Sequence, residues 1–224
     1  MLRYALRSFP FYIKRMQILD FDNINKYQEV KTWLLEQAPS QLMEKKVQAV
    51  NVVWDLLEYL YMLGYTTAKE EVGQIADYAK PFLPDDYDDA KEKLTAEEQK
   101  VADMSIFRKF DGKDFTDRVR EYAELGNANE ILRVVETDGN RVYNTGGIEG
   151  ARKEGATSKT WRTMMDDRVR DTHDYLEGVT VGIDEKFFTY DGDSARYPGD
   201  FEAPQNSINC RCWLEFGKDN QPQL

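Results

Sequence analysis

The hydrophobic period changes once along this chain, near Gly155, and that change limits the fold more than any other feature. Before it, apolar residues recur at helical spacing; after it, short runs of β-branched and apolar residues alternate with polar ones. Between Ile24 and Tyr78, the residues Leu42, Val47, Val50, Trp54, Leu57 and Leu60 mark one face of an amphipathic helix. Ser40 reads as its N-cap and Gly64 as its stop. Tyr65 to Tyr78, with Ala68, Val72, Ile75 and Ala76, then makes the second arm of a helical hairpin. Pro81, Pro84 and the acidic run Asp85, Asp86, Asp88, Asp89 mark a linker, because they cannot continue a helix and have little to bury. Thr95 and Glu98 form a capping-box pattern for a helix carrying Val101, Met104, Ile106 and Phe107 as far as Gly112. Asp114 or Thr116 caps Phe115 to Leu125, which Gly126 closes, and Asn129 to about Glu154 is helical although Gly139, Gly146, Gly147 and Gly150 weaken it.

After Gly155, Thr160 to Met165, Val179 to Ile183, and Cys210 with Trp213, Leu214 and Phe216 read as strands. Asp191 to Ser207 forms a long loop or arm between the last two. The expected class is α+β. An N-terminal helical region spans residues 1–90, and a second domain over 91–224 packs helices on a small, mainly antiparallel sheet.

Composition removes several functions. A net charge of -11 over 224 residues argues against a protein whose main task is gripping nucleic acid, since phosphate binding needs a concentrated excess of Lys and Arg. No stretch approaches the about 18 consecutive apolar residues of a membrane-spanning helix. Lys14 and Arg15 interrupt the apolar start before a signal sequence can form, so Met1 to Asp20 reads as a packed or partner-docking arm. The two cysteines, Cys210 and Cys212, are alternate residues that point to one face without the geometry of an ordinary disulfide, which suits a reducing compartment.

Several motifs follow one another in the second half. They are Arg133-x-x-Glu136-Thr137, Tyr143-Asn144-x-Gly146, Gly150-Ala151-Arg152, Lys159-x-Trp161-x-Thr163, and Asp167-Arg168-Val169-Arg170-x-x-His173-x-x-Leu176-x-Gly178. Asp184-Glu185-x-Phe187, Tyr197-Pro198-Gly199-Asp200 and Asn209-Cys210-Arg211-Cys212 complete the series. In order and spacing it resembles the phage head morphogenesis family of the Mu F type, the minor head proteins, over roughly residues 115 to 216. The resemblance implies a non-enzymatic assembly component of a tailed phage or prophage head, present in few copies at the portal vertex and needed for head assembly or for packaging and delivering the genome. The implied partners are portal, capsid or scaffolding proteins and, at the margin, packaged DNA, with no membrane and no cofactor. Its implied location is the virion, in the head interior or at the portal vertex, after assembly in the host cytoplasm. The N-terminal helices are the expected docking region, and so few residues follow Phe216 that no downstream payload is expected.

The candidate site residues form a structural polar network: Arg133, Glu136, Asn140, Asn144, Asp167, Arg168, Arg170, His173, Asp184, Asn209, Cys210, Arg211 and Cys212. Arg133 and Glu136 sit one helical turn apart, as do Glu136 and Asn140. The resemblance also implies a four-ligand zinc set, because relatives carry Cys-x-x-Cys where this chain has Arg170 and His173. Arg170 is permanently cationic, so no metal is expected, and His173, Cys210 and Cys212 are the only residues of that set able to ligate zinc. Arg168 and Arg170 are expected to pair with Asp166, Asp167 or Glu136, leaving His173 as a hydrogen-bonded structural residue. Lys153, Lys159 and Arg162 are candidates for facing DNA, although such residues are more commonly solvated surface. Competing functions are a helical adaptor outside the virion and a toxin-derived protein with a zinc or Cys/His site; a zinc nuclease would need several histidines, and the chain has 1.

Overall fold

The computed structural model describes residues 20–73 and 91–218. The N-terminal arm up to residue 19, the end of the expected second hairpin helix and the proline-rich acidic linker lie outside the described residues.

The protein is α+β. After a short 3-10 turn at Phe21–Asn23 come α1 (Asn25–Glu36), α2 (Pro39–Glu44), α3 (Lys46–Gly73), α4 (Ala96–Ile106), α5 (Phe115–Glu124) and α6 (Ala128–Lys153). Then follow β1 (Ser158–Arg162), α7 (Asp171–Asp174), β2 (Thr180–Gly182), β3 (Phe187–Phe188), β4 (Ser194–Ala195), α8 (Pro204–Ser207) and β5 (Trp213–Gly217). The sheet has the order β2-β1-β5, antiparallel throughout, with Lys159 opposite both Val181 and Phe216 and Trp161 opposite Leu214. Strands β3 and β4 form a separate antiparallel hairpin. Among the described residues no helix is long and apolar enough to cross a membrane.

Capping explains where the middle helices begin. Thr95 and Glu98 make the reciprocal capping box, Asp114 accepts the backbone N–H groups of Thr116 and Asp117, and Asn127 accepts that of Glu130. Other boundaries differ from the sequence reading. Ser40 is not an N-cap: α2 begins at Pro39, with Ala38 before it offering no side-chain cap. The helix after Thr95 stops at Ile106, short of Gly112, and β1 stops at Arg162, where Thr163 accepts the Met165 N–H in a turn. The expected loop from Asp191 to Ser207 contains β4 and α8, and Asn206 ties it back by donating to Asp191 and Asp193.

The largest difference is at Gly64, which does not end a helix: α3 runs through it to Gly73. A glycine inside a helix costs about 1 kcal/mol relative to alanine, so something must favour its presence. A Cβ on Gly64 would stand 2.0 Å from the Tyr143 carbonyl oxygen of α6. The relation is mutual: Cβ atoms on Gly146 and Gly150 would stand 2.1 Å from the carbonyl oxygens of Tyr61 and Tyr65. The two long helices therefore touch backbone to backbone, close enough for Cα–H to carbonyl contacts. The contact advances in the same sense along both, Tyr61 meeting Gly146 and Tyr65 meeting Gly150, so α3 and α6 run side by side in parallel. This is also why α6 is continuous despite these glycines: Gly146 and Gly150 face the partner backbone, and Gly139 faces the Leu60 and Phe21 side chains.

A parallel helix pair needs a return path, which α4 and α5 supply. Both pack on α6, and their side chains Ile106, Phe115, Val119 and Ala123 join Leu34, Val53, Leu57, Leu60, Val135 and Val142 in one core shared by helices from both sides of residue 90. A second core fills the space under the sheet with Trp161, Leu176, Phe187, Phe201, Cys210, Cys212 and Leu214. Strand β5 joins the two, since Trp213 lies in the helical core and Leu214 in the sheet core.

Glu98 fastens α4 to the helix pair. It accepts hydrogen bonds from Tyr65 Oη at 2.9 Å, Lys153 Nζ at 2.7 Å and the Thr95 N–H at 2.7 Å. Burial pushes its carboxyl up, but the bonds from Lys153, Thr95 and Tyr65 outweigh burial and hold it at about 2.

Two outcomes follow from this packing. Gly146→Ala improves helix propensity, yet it should lower stability by about 1–3 kcal/mol in urea denaturation, because its methyl group meets a carbonyl that cannot move aside. For Glu98, a folded pKa below the ordinary 4.5 means its contribution is complete above that value and is lost as pH falls toward about 2. The stability difference between the protein and Glu98→Gln, measured in urea at successive pH values, should shrink across that window and stay constant above it.

Candidate functional site

Most of the motif residues gather where α6, the turn holding α7 and the segment before β5 meet. Helix α6 presents Glu136, Asn140 and Asn144 at four-residue spacing. Tyr27 Oη donates to Glu136 at 2.6 Å, and Asn144 Nδ2 donates to the Asn140 carbonyl at 2.8 Å and the Cys212 carbonyl at 3.2 Å. Asn144 thus holds the closing segment to the helix. Asn209 starts that segment with φ 54, a left-handed conformation that asparagine tolerates, and its N–H donates to Thr137 Oγ1 at 3.2 Å. The turn sends Cys210 and Cys212 inward and Arg211 toward Asp166, which it grips with both terminal nitrogens at 2.9 and 2.5 Å. That pairing holds the Asp166 carboxyl below its ordinary value.

Both thiols converge on the single histidine. His173 Nδ1 lies 3.6 Å from Cys210 Sγ and 3.4 Å from Cys212 Sγ, with all three side chains buried. The imidazole stacks on Phe201 at 5.3 Å and 25°, and meets the edge of Trp161 at 5.5 Å. Burial acts to raise both thiols. For Cys210, hydrogen bonds from Cys212 and His173 and the charge of the imidazole overcome burial and bring it well below the usual thiol value. Burial and the neighbouring Cys210 push Cys212 well above it. Beside the cluster opens a cavity of about 680 Å³ whose wall includes Glu136, Asp166, Arg168, Arg170, Asn209, Cys210 and Arg211.

The geometry can be tested against the zinc set that the family resemblance implies. With Zn–S near 2.3 Å and Zn–N near 2.0 Å, two ligands of a tetrahedral ion stand about 3.5 Å apart. The observed N to S separations of 3.4 and 3.6 Å match that edge. His173, Cys210 and Cys212 therefore fit three corners. Arg170 does not supply a fourth: its Nη2 donates to the Ile208 carbonyl.

Several pairings differ from expectation. Arg133 is exposed and pairs with Glu130 at 2.5 Å instead of Glu136. Arg170 goes to a backbone carbonyl instead of an acid, whereas the exposed Arg168 approaches Asp166, one of the acids expected for it, at 3.7 Å. Asp167 is exposed at the margin, and Asp184 lies apart from the cluster, accepting from Arg152 at 2.6 Å. Of the three cations considered for DNA, Lys159 is buried over the Phe187 ring, Arg162 pairs with Glu177 and Glu215, and Lys153 with Glu98. Burial, then the charge of Arg152, pushes the Lys159 amine down to about 8. Its alternation with Trp161 along β1 was the available signal for an inward side chain.

A second network was not anticipated. Asp138, wholly buried in α6, accepts from Arg118 at 2.7 Å and from Arg141 at 2.9 Å. Arg141 also donates to the Ser105 carbonyl, tying in α4. The guanidinium groups of Arg108, Arg118 and Arg141 lie 5.1 to 5.5 Å from the Phe110 ring centre, and Arg108 reaches Asp200 at 2.7 Å. Gly199 is required here: it adopts φ 85, and a Cβ on it would stand 2.9 Å from that of Arg141.

With this geometry in place, comparison with known proteins is informative. The family model described as Phage Mu protein F like protein matches residues 92–215, beginning one helix earlier than the motifs alone suggested. The chain is 33% identical over 138 residues to NAD(+)--arginine ADP-ribosyltransferase EFV of Enterococcus faecalis, covering 55% of this chain and 28% of that protein. It is 31% identical over 107 residues to Minor head protein GP7 of Bacillus phage SPP1, covering 46% of this chain and 34% of that protein. The chain thus spans about a third or less of the length of these relatives. No solved structure matches.

Removing the Asp138 carboxylate should be costly, because Arg141 would be left buried and uncompensated. Asp138→Ala is expected to lose about 3–5 kcal/mol in urea denaturation, the range for breaking a buried ion pair from one side.

Proposed function

This chain belongs to the Phage Mu protein F like family, and from that premise we propose that it is a structural and assembly component of a tailed-phage or prophage head, acting at the portal vertex during head morphogenesis and genome packaging or delivery. One observation carries the reading. The family match spans 92–215, taking in both the Asp138 network and the cysteine–histidine cluster, and a relative of the same region is a minor head protein. Both clusters hold helices and sheet to one another, which suits a rigid assembly part.

The N-terminal helices are the docking surface in this reading, facing portal, capsid or scaffolding proteins. Met43, Val47 and Trp54 leave apolar surface exposed there, 51%, 64% and 39% respectively. Contact with packaged DNA is secondary, since Lys159 and Arg162 are spent internally. In this reading residues 1–90 serve docking and 91–224 form the head-protein domain, the two sharing one helical core.

The transferase name of the other relative favours one alternative, an ADP-ribosyl transfer activity. That relative is matched over 28% of its length, and the reading proposed here assigns no catalysis to this chain. Incubation with labelled NAD+ and an arginine acceptor is expected to give no incorporation.

The deciding experiment is quantitative mass spectrometry of purified particles, with co-purification of the tagged chain from infected or induced cells. A few copies per particle that track the portal protein are expected. Absence from heads and proheads, with the chain found free or on a cellular partner, would overturn the assignment in favour of an adaptor.

A further inference from the structure

His173, Cys210 and Cys212 hold every imidazole and thiol in the chain, and the fold brings their ligand atoms within 4.8 Å of one another. We propose that they form a three-ligand site for a zinc-type divalent cation whose fourth coordination position is filled by a small exchangeable ligand, water or an anion, admitted through the cavity that reaches Cys210. The inference does not depend on the role in the phage head.

The separations carry most of the argument. One N–H to S or S–H to N bond would draw Nδ1 toward one sulfur. Instead Nδ1 stands almost equally from both, at 3.6 and 3.4 Å, as it would around a common point. Those lengths match the edge of about 3.5 Å between ligands of tetrahedral zinc. Phe201 and Trp161 fix the imidazole plane so that Nδ1 faces the sulfurs. Two buried thiols and the one histidine in contact are also poor candidates for plain packing, because the polar imidazole gains nothing from an apolar pocket.

The open fourth position follows from the inventory. The chain has no further Cys or His, and among the described residues no Asp or Glu joins the group. Arg170 points to the Ile208 carbonyl, leaving its cationic head beside the site. Structural zinc sites are closed by four protein ligands, whereas three ligands beside an open cavity leave a position for exchange. Two thiolates would neutralise a divalent ion, so the remaining position would take water or a small anion, with the Arg170 cation in the same cavity wall while Arg211 is held by Asp166.

The test uses the full, untagged chain in reducing buffer. Elemental mass spectrometry of the purified protein should give about one zinc per chain. After removal by a chelator, Co2+ titration should saturate at one equivalent with visible bands of a tetrahedral site and a near-ultraviolet thiolate band. Azide or thiocyanate should shift the visible bands. His173→Ala should weaken Co2+ binding by about a hundredfold or more, at least the loss produced by disturbing a supporting shell. A folded chain with neither zinc nor cobalt bands overturns the site. Cobalt bands that ignore added anions overturn the open position, and undiminished binding by His173→Ala removes the histidine from the ligand set. If that variant does not fold, the titration of the unaltered chain decides.

Discussion

The backbone contact between α3 and α6 sets the rest of the architecture. Tyr61 and Tyr65 present their carbonyl oxygens where Gly146 and Gly150 lack side chains, and Tyr143 does the same toward Gly64. Two parallel helices at this distance bury each other's narrow faces completely. Their remaining apolar faces need other cover, which α1, α4, α5 and Trp213 of β5 provide. The loss of helix propensity at these three glycines, about 1 kcal/mol each, is offset by that burial and by the cores it assembles.

From this frame the positions of both polar clusters follow. Asp138 and Arg141 lie in α6 between its glycine face and α4 and α5, so their charges are fully withdrawn from water and must satisfy each other. Asn144, one turn further along, reaches the backbone of Cys212 and fixes the register of the closing segment. The cysteine–histidine cluster is then positioned from two directions: by α6 through Asn144, and by the aromatic side chains Trp161 and Phe201 of the sheet core.

Much of this was legible in the sequence, for identifiable reasons. The change of period at Gly155, the capping box at Thr95 and the Asp114 cap are local signals, and they yield the middle helices and the α+β class. The inward direction of Cys210 and Cys212 was legible from their alternation, although they precede β5 and owe their direction to the turn at Asn209. Gly64 misled because glycine has two uses: ending a helix, and letting another backbone approach. Only the location of Tyr143 separates them, and that is a contact 79 residues distant in sequence, 143 − 64. Arg170 and Arg133 misled for a similar reason. Sequence neighbours suggested an acid for Arg170 and Glu136 for Arg133, but Arg170 is directed by the Ile208 carbonyl and Arg133 by Glu130, one turn in the other direction. The Asp138 network was invisible because its partners come from three helices, each of which reads as an ordinary charged surface.

A joint made from carbonyl oxygens and Cα atoms has no rotamers, so it cannot yield by side-chain rearrangement as ordinary helix packing does. Helices α3 and α6 therefore behave mechanically as one strut. A push at the Lys46 end is carried along the strut to Lys153 and into β1, which begins five residues later at Ser158. A load taken up by the first helices is thereby felt as a rigid displacement at the central strand of the sheet.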